Sequence, residues 1–300
     1  MPPKIVAVCP EEYPGVSAVF KHGEKLGLWE YHNVRQVLPE NDLVILGAWH
    51  YYYKNYLEKN RCIVYLTSTF GQMEFSYQGI EIDNLGEIER LLKEGKIKAI
   101  LAGWPDVAEY FQSKKAFYCP YPFSEEYILK QTKQETKEYE SIGIFLPNSA
   151  RKNTFNQILA AINSKMKVYT NLPYDCPGIK TVGWLPDPEY YSLISKLAIT
   201  LHCTFTESFS YAAAESVILG TIPIVSPQIA ANLSLTNDVI CWQCDSVKSI
   251  LEKIECLKNV SAEAYQQKIM ILKNYLKIRI SENLDKTKNV LDEVVKLVVK

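Results

Sequence analysis

Two glutamates, Glu207 and Glu215, stand eight positions apart in a stretch, residues 199–226, that reads I-T-L-H-C-T-F-T-E-S-F-S-Y-A-A-A-E-S-V-I-L-G-T-I-P-I-V-S. On a helix that spacing is roughly 12 Å at 1.5 Å per residue, too far to share one proton or one metal ion. Such a pair can hold two separated hydroxyl-bearing parts of one elongated ligand. Between them, the backbone N–H groups of Ser208, Phe209 and Ser210 are expected to be free at a positive helix end, which favours phosphate. A ligand with a sugar at one end, a diphosphate in the middle and a ribose at the other fits this layout.

The elements around the pair must place it there. The apolar, β-branched run Ile199 to Cys203 predicts a buried strand, and Thr204 to Glu207 a loop. Ser208 or Ser210 is suited to cap the following helix, because a serine oxygen accepts from a first-turn N–H. Tyr211 to Leu219 has no breaker, Gly220 suits a left-handed stop, and Thr221 to Ser226 predicts a second strand. That is one βαβ unit. Its helix starts at the carboxyl end of the first strand, where open parallel sheets bind ligands.

Within this frame, Glu207, seven residues and Glu215 resemble the E-x7-E motif of retaining nucleotide-sugar glycosyltransferases of family 4, which have the two-domain GT-B fold. V-G-W-L-P-D-P-E-Y-Y-S-L-I ahead of it and G-T-I-P-I-V-S after it are similar to the family's flanking segments. The resemblance covers most of residues 142 to 245 with specific motifs, and the first half only in architecture. It implies an α/β protein of two Rossmann-like domains facing across a cleft. It also implies that Glu207 holds sugar hydroxyls, that Glu215 holds the ribose, and that the Gly183-Trp184 loop lies beside the nucleobase. The family's strand and loop at the start of the second domain supply an Arg and a Lys that clamp the donor diphosphate. Here apolar Ile144 or Phe145 stands at the Arg position, and the basic residues are the adjacent Arg151 and Lys152, which can reach phosphate from a helix N-terminus. The donor would be a UDP-, GDP- or ADP-linked sugar. No further cofactor is expected, and no Asp-x-Asp metal motif is present.

Three hundred residues allow two domains with a core each. The 33 basic and 34 acidic side chains give a net charge of −1, which argues against a dedicated nucleic-acid binder. No signal peptide and no transmembrane run are read, and the scattered cysteines suit a reducing cytoplasm. Cys241-Trp242-Gln243-Cys244 is one CxxC with no second pair to complete a zinc site, so it is read as structural, with no metal. His202 falls inside a strand and is expected to be a satisfied core histidine.

The first half predicts strands at Lys4 to Cys9, Asp42 to Ala48, Cys62 to Leu66, Ala99 to Leu101 and Ala116 to Cys119. Loops at their carboxyl ends carry Gly15, His50, Ser68 and Thr69, candidates for the acceptor side. Ser124 to Glu140 is polar and charged and reads as a helix or linker joining the halves, and Ala262 to Ile280 and Asn283 to Val299 as two amphipathic helices. The expected division is 1–135 for the acceptor side, 136–282 for the donor side, and 283–300 as a helix crossing back. The acceptor, a sugar, lipid or protein, is open. Two other classes remain open as well: a nucleotide-sugar epimerase or isomerase on the same frame, and a non-catalytic nucleotide-sugar binding protein.

Overall fold

The computed structural model describes residues 4–10, 14–34, 36, 38, 42–47, 53–75 and 80–299. The chain divides into two compact units: residues 1–124 with 280–300, and residues 125–279.

The first unit is built on six parallel strands: β1 (Ile5–Cys9), β2 (Glu30–Asn33), β3 (Leu43–Gly47), β4 (Arg61–Leu66), β5 (Ile97–Ala102) and β6 (Ala116–Tyr118). Their order is β2-β1-β3-β4-β5-β6. β3 reads Leu-Val-Ile-Leu-Gly and is buried throughout, as a central parallel strand covered on both faces must be. β2 is an edge strand of Glu-Tyr-His-Asn, half-buried along its length, with no apolar run to announce it. The helix after β1 starts at Pro14, because a proline at the first helical position gives up only an N–H that has no partner there anyway. Gly15 therefore lies in the first turn of a helix and not in a loop.

The second unit holds five parallel strands: β7 (Glu138–Ile144), β8 (Lys167–Thr170), β9 (Ile179–Thr181), β10 (Leu197–His202) and β11 (Ile222–Val225), in the order β11-β10-β7-β8-β9. β10 is central, fully buried, and paired in parallel with β11 and β7. The helix Tyr211–Ile218 crosses from β10 to β11 and packs Ser216 on the sheet, where Thr200 Oγ1 donates to Ser216 Oγ at 2.9 Å. Gly220, at φ +80°, ends it. The Gly220 N–H donates to the Val217 carbonyl and the Thr221 N–H to the Ser216 carbonyl, a paired left-handed stop that glycine adopts without strain.

Two expectations are corrected. Val239 to Cys241 is not a strand: a 3₁₀ turn, Asn237–Val239, precedes a single bridge between Ile240 and Val225. The segment from Ser124 to Glu140 contains the helix Glu125–Gln131 and runs into β7, which begins at Glu138. The two terminal helices are one helix of 38 residues, Ala262–Val299, because neither Ser281 nor Glu282 interrupts it. Its last part belongs to the first unit, where Thr287 Oγ1 donates to the Pro120 carbonyl at 2.9 Å and Leu291 and Val294 are buried.

Candidate active site

The carboxyl ends of β7 and β10 bring Arg151, Lys152 and Glu207 into one cluster. Lys152 lies in a 3₁₀ turn, Ala150–Lys152, that follows β7, and its ammonium bonds the Glu207 carboxylate directly. Arg151 Nη1 lies 3.5 Å from the same oxygen. All three side chains are largely buried, with Arg151 the most open. Burial pulls the Lys152 pKa down, opposed by the Glu207 charge and reinforced by the Arg151 charge. A desolvated cation pair beside one carboxylate is an environment prepared for a further anion.

The backbone holds these side chains from several directions. The Phe205 N–H donates to the Arg151 carbonyl at 2.9 Å, and Gln157 bridges the Lys152 carbonyl (2.7 Å) and the Cys203 N–H (3.0 Å). The Glu207 N–H donates to Gln228 Oε1 at 2.9 Å, and Asn232 Nδ2 donates to the Ser208 carbonyl. Arg279 Nε donates in turn to the Asn232 carbonyl at 3.1 Å. Gln228 and Asn232 escaped the sequence reading. They lie four apart on the helix Pro227–Leu233, hence on one face, and that spacing was the available signal.

The helix start differs from expectation in two ways. The Ser208 N–H is not free: it donates to Glu207 Oε1 at 3.3 Å, because the Glu207 side chain folds back over the following amide. No serine side chain caps the helix. Ser210 occupies the cap position at φ +55°, a left-handed conformation that serine adopts at a cost, and only its carbonyl serves the helix, accepting from Ala213 and Ala214. Phe209 is buried, its ring edge-on to Tyr211 with centroids 4.9 Å apart, so it anchors the turn.

Glu215 occupies a separate environment. It is buried where the helices Glu125–Gln131, Asp187–Lys196 and Tyr211–Ile218 meet. Burial, with the Asp187 charge second, pushes its carboxyl up to about 8, against a hydrogen bond from Tyr190 that favours the charged form. Tyr127 donates to Asp187 at 3.2 Å in the same junction. Asp187 and Tyr190 were not singled out from the sequence, since nothing in their local spacing marks them. The loop before their helix carries Gly183, at φ +69°, and Trp184, which is 69% exposed. A side chain at position 183 would be strained by that φ alone.

His202 is buried as expected but not satisfied: neither ring nitrogen has a hydrogen-bond partner among the described residues. The hydroxyls of Thr154, Thr204 and Ser226 share that condition. Burial, with the Lys152 charge second, pushes the His202 pKa down to about 3. Cys241 and Cys244 do not stand alone either. The bridge of Ile240 to Val225 carries them beside Cys203 at the end of β10, and the three sulfurs lie within 4.8 Å of one another.

In the first unit, Thr69 caps the helix Phe70–Glu74: its hydroxyl accepts from the Gln72 N–H at 3.2 Å, and Gln72 Oε1 accepts from the Thr69 N–H at 2.9 Å. Ser68 is half-buried beside it. Gly15 is exposed in the first turn of its helix, and His50 lies outside the described residues.

No protein-family model and no curated protein matches the chain. Solved structures do. An α-glucosyltransferase in complex with UDP-glucose and DNA containing an abasic site is similar over 96% of this chain and 98% of that one, at 12% identity and TM-score 0.67. A trehalose-6-phosphate synthase is similar over 95% and 76%, at 11% identity and TM-score 0.63. A third structure, described as trehalose-6-phosphate from E. coli bound with UDP-2-fluoro glucose, is similar over 95% and 78% at 10% identity and TM-score 0.62. These similarities establish an α/β fold with two parallel sheets of the kind found in GT-B glycosyltransferases. No helix among the described residues is long and apolar enough to cross a membrane.

Proposed function

We propose that this chain is a glycosyltransferase that moves a sugar from a nucleoside diphosphate donor to an acceptor hydroxyl, with retention at the anomeric carbon. The observation that carries the reading is the buried cluster of Arg151, Lys152 and Glu207 at the carboxyl ends of β7 and β10. In such a transfer the bond from the anomeric carbon to the diphosphate oxygen breaks, the sugar gains oxocarbenium character, and the acceptor oxygen bonds to the same carbon as its proton passes to the departing diphosphate. The accumulating charge is on the departing diphosphate. Lys152 and Arg151 supply cations for it, and electrostatic stabilisation of this kind is large in enzymes. A phosphate beside Lys152 competes with Glu207 for the ammonium and frees that carboxylate to accept from sugar hydroxyls. Glu215, in the helix Tyr211–Ile218, receives the ribose.

The similarity to GT-B structures, two of them holding UDP-linked glucose, supports this reading and makes UDP-glucose the first donor to test. Because one of those complexes contains DNA, DNA belongs in the acceptor screen beside sugars, lipids and proteins. The test is a thermal-shift screen over UDP, GDP, ADP and their sugars, followed by donor turnover. A ligand that binds only the native state raises its stability, by about 2.7 kcal/mol at a hundredfold excess over Kd. The expected result is stabilisation by one diphosphate and release of it from its sugar conjugate. Stabilisation without any release would make the chain a binding protein, and conversion of the sugar without release an epimerase.

A further inference from the structure

We infer that Cys203, Cys241 and Cys244 form a binding site for one zinc ion, behind the basic loop and independent of the glycosyl-transfer reading. The three thiols come from two distant parts of the sequence, the end of β10 and the turn after β11. All are buried, none is in a disulfide, and their sulfurs lie within 4.8 Å of one another. Zn–S bonds of about 2.3 Å place sulfurs about 3.8 Å apart at the corners of a tetrahedron, so the three sulfurs are already gathered to within about 1 Å of a ligand set.

A small apolar role would explain one or two buried cysteines. It does not explain why three converge with their backbones tied together. Asn153 Nδ2 donates both to the Cys203 carbonyl, at 3.0 Å, and to the Cys244 carbonyl, and Asn153 itself is held at φ +52°. One amide thus fixes two of the three ligand-bearing residues, the task that outer partners perform at metal centres. The Cys241-x-x-Cys244 turn has the short spacing of zinc ligands, and Trp242 and Gln243 at its tip are exposed, which leaves a way in. Soft thiolates select zinc over magnesium or calcium.

Among the described residues, no fourth His, Cys, Asp or Glu atom joins the cluster. The fourth ligand would come from solution or from a carbonyl such as that of Cys241, which lies 3.1 Å from the Cys244 sulfur. Binding is not a redox step: each thiol that ligates gives up its proton to solvent, and the ion keeps its charge. Asn153 directly follows Lys152, so an ion here would brace the turn that carries the basic pair.

The test uses the full chain, expressed in zinc-supplemented medium and purified reduced without chelator, with metal measured by plasma mass spectrometry. The expected result is about one zinc per chain, lost in Cys203→Ser and Cys244→Ser but retained when the exposed cysteines are replaced together, Cys176→Ser with Cys256→Ser. If the single variants do not fold, stripping zinc from the wild-type chain with a chelator at neutral pH should lower Tm, and zinc alone should restore it. Zinc below about 0.1 per chain with no thermal response to added zinc would overturn the inference. So would loss of zinc with the exposed cysteines, or another metal in its place.

Discussion

Each unit buries a histidine, and the two are treated in opposite ways. His22, in the first unit, accepts the Ser124 N–H on Nδ1 at 2.8 Å and stacks on Phe123 at 4.9 Å between centroids. His202, in the second, has no hydrogen-bond partner for either ring nitrogen among the described residues. Both have pKa values lowered to about 3, chiefly by burial. The same contrast extends outward. At the strand ends of the first unit, Thr69 and Gln72 satisfy each other in a capping box. At those of the second, the buried hydroxyls of Thr154, Thr204 and Ser226 go without partners, Ser210 is strained, and a lysine is buried against a glutamate. Departures of this kind cluster at functional sites, and under the proposed function those around Lys152 and Glu207 mark the donor site.

The largest test of that contrast is Lys152→Ala against Thr69→Ala. Removing Lys152 breaks its buried pair with Glu207, and breaking a buried pair costs about 3–5 kcal/mol. Sugar transfer should fall by roughly 10²–10³-fold, the range for loss of one preorganised stabiliser. Thr69→Ala should cost about 1 kcal/mol in denaturant unfolding, the usual size of a lost cap, and leave donor affinity unchanged. Equal effects of the two variants on donor affinity would erase the distinction.

Next is Glu215, whose carboxyl is raised to about 8. Between the unfolded value near 4.5 and that value the folded state holds a proton that the unfolded state has released, so stability falls as pH rises across this window. Glu215→Gln should flatten that part of the curve of Tm against pH. Ribose hydroxyls donating to the carboxylate favour its charged form, so UDP should bind more tightly as pH rises from about 6.5 to 8.5. A wild-type affinity that does not change with pH, or a dependence that survives in Glu215→Gln, would remove Glu215 from ribose binding.

The histidines give a smaller effect. Replacing His22 by Leu removes the acceptor of the buried Ser124 N–H and should cost about 1–3 kcal/mol at pH 7.5, while His202→Leu removes no hydrogen bond among the described residues and should cost less. In acid both costs shrink. Both histidines are held neutral, so the native state loses stability as pH falls below the unfolded value near 6.5, and either replacement removes its share of that loss. Smallest is Ser210→Gly, which relieves a left-handed residue and should raise stability by about 1 kcal/mol in equilibrium unfolding. A fall in stability would show that the serine side chain is needed there.

The β10–helix–β11 unit was legible in the sequence because apolar runs, an alanine-rich segment and Gly220 all act locally. β2 was not, since a half-exposed edge strand needs no apolar pattern. The continuity of Ala262–Val299 was missed because polar Ser281 and Glu282 look like a break yet cost a helix little. For the site, Glu207, Arg151 and Lys152 were singled out through the family resemblance, and the fold brings their side chains into one cluster. Asn153, Asp187, Tyr190 and Gln228 were not, because they act across elements that only the folded chain brings together. Cys203 joins the Cys241–Cys244 turn for the same reason, through strand order rather than sequence distance.

The central claim is that the buried basic pair of the second unit holds a diphosphate. Calorimetric titration of UDP and of uridine into the wild-type chain and into Lys152→Met, which keeps the length of the side chain, tests it most directly. The account predicts that UDP affinity drops by roughly tenfold to a hundredfold, the loss of one charged hydrogen bond at about 1.5–3 kcal/mol, while uridine affinity stays within error. An equal fall for both ligands, or no fall for either in a folded variant, would contradict it.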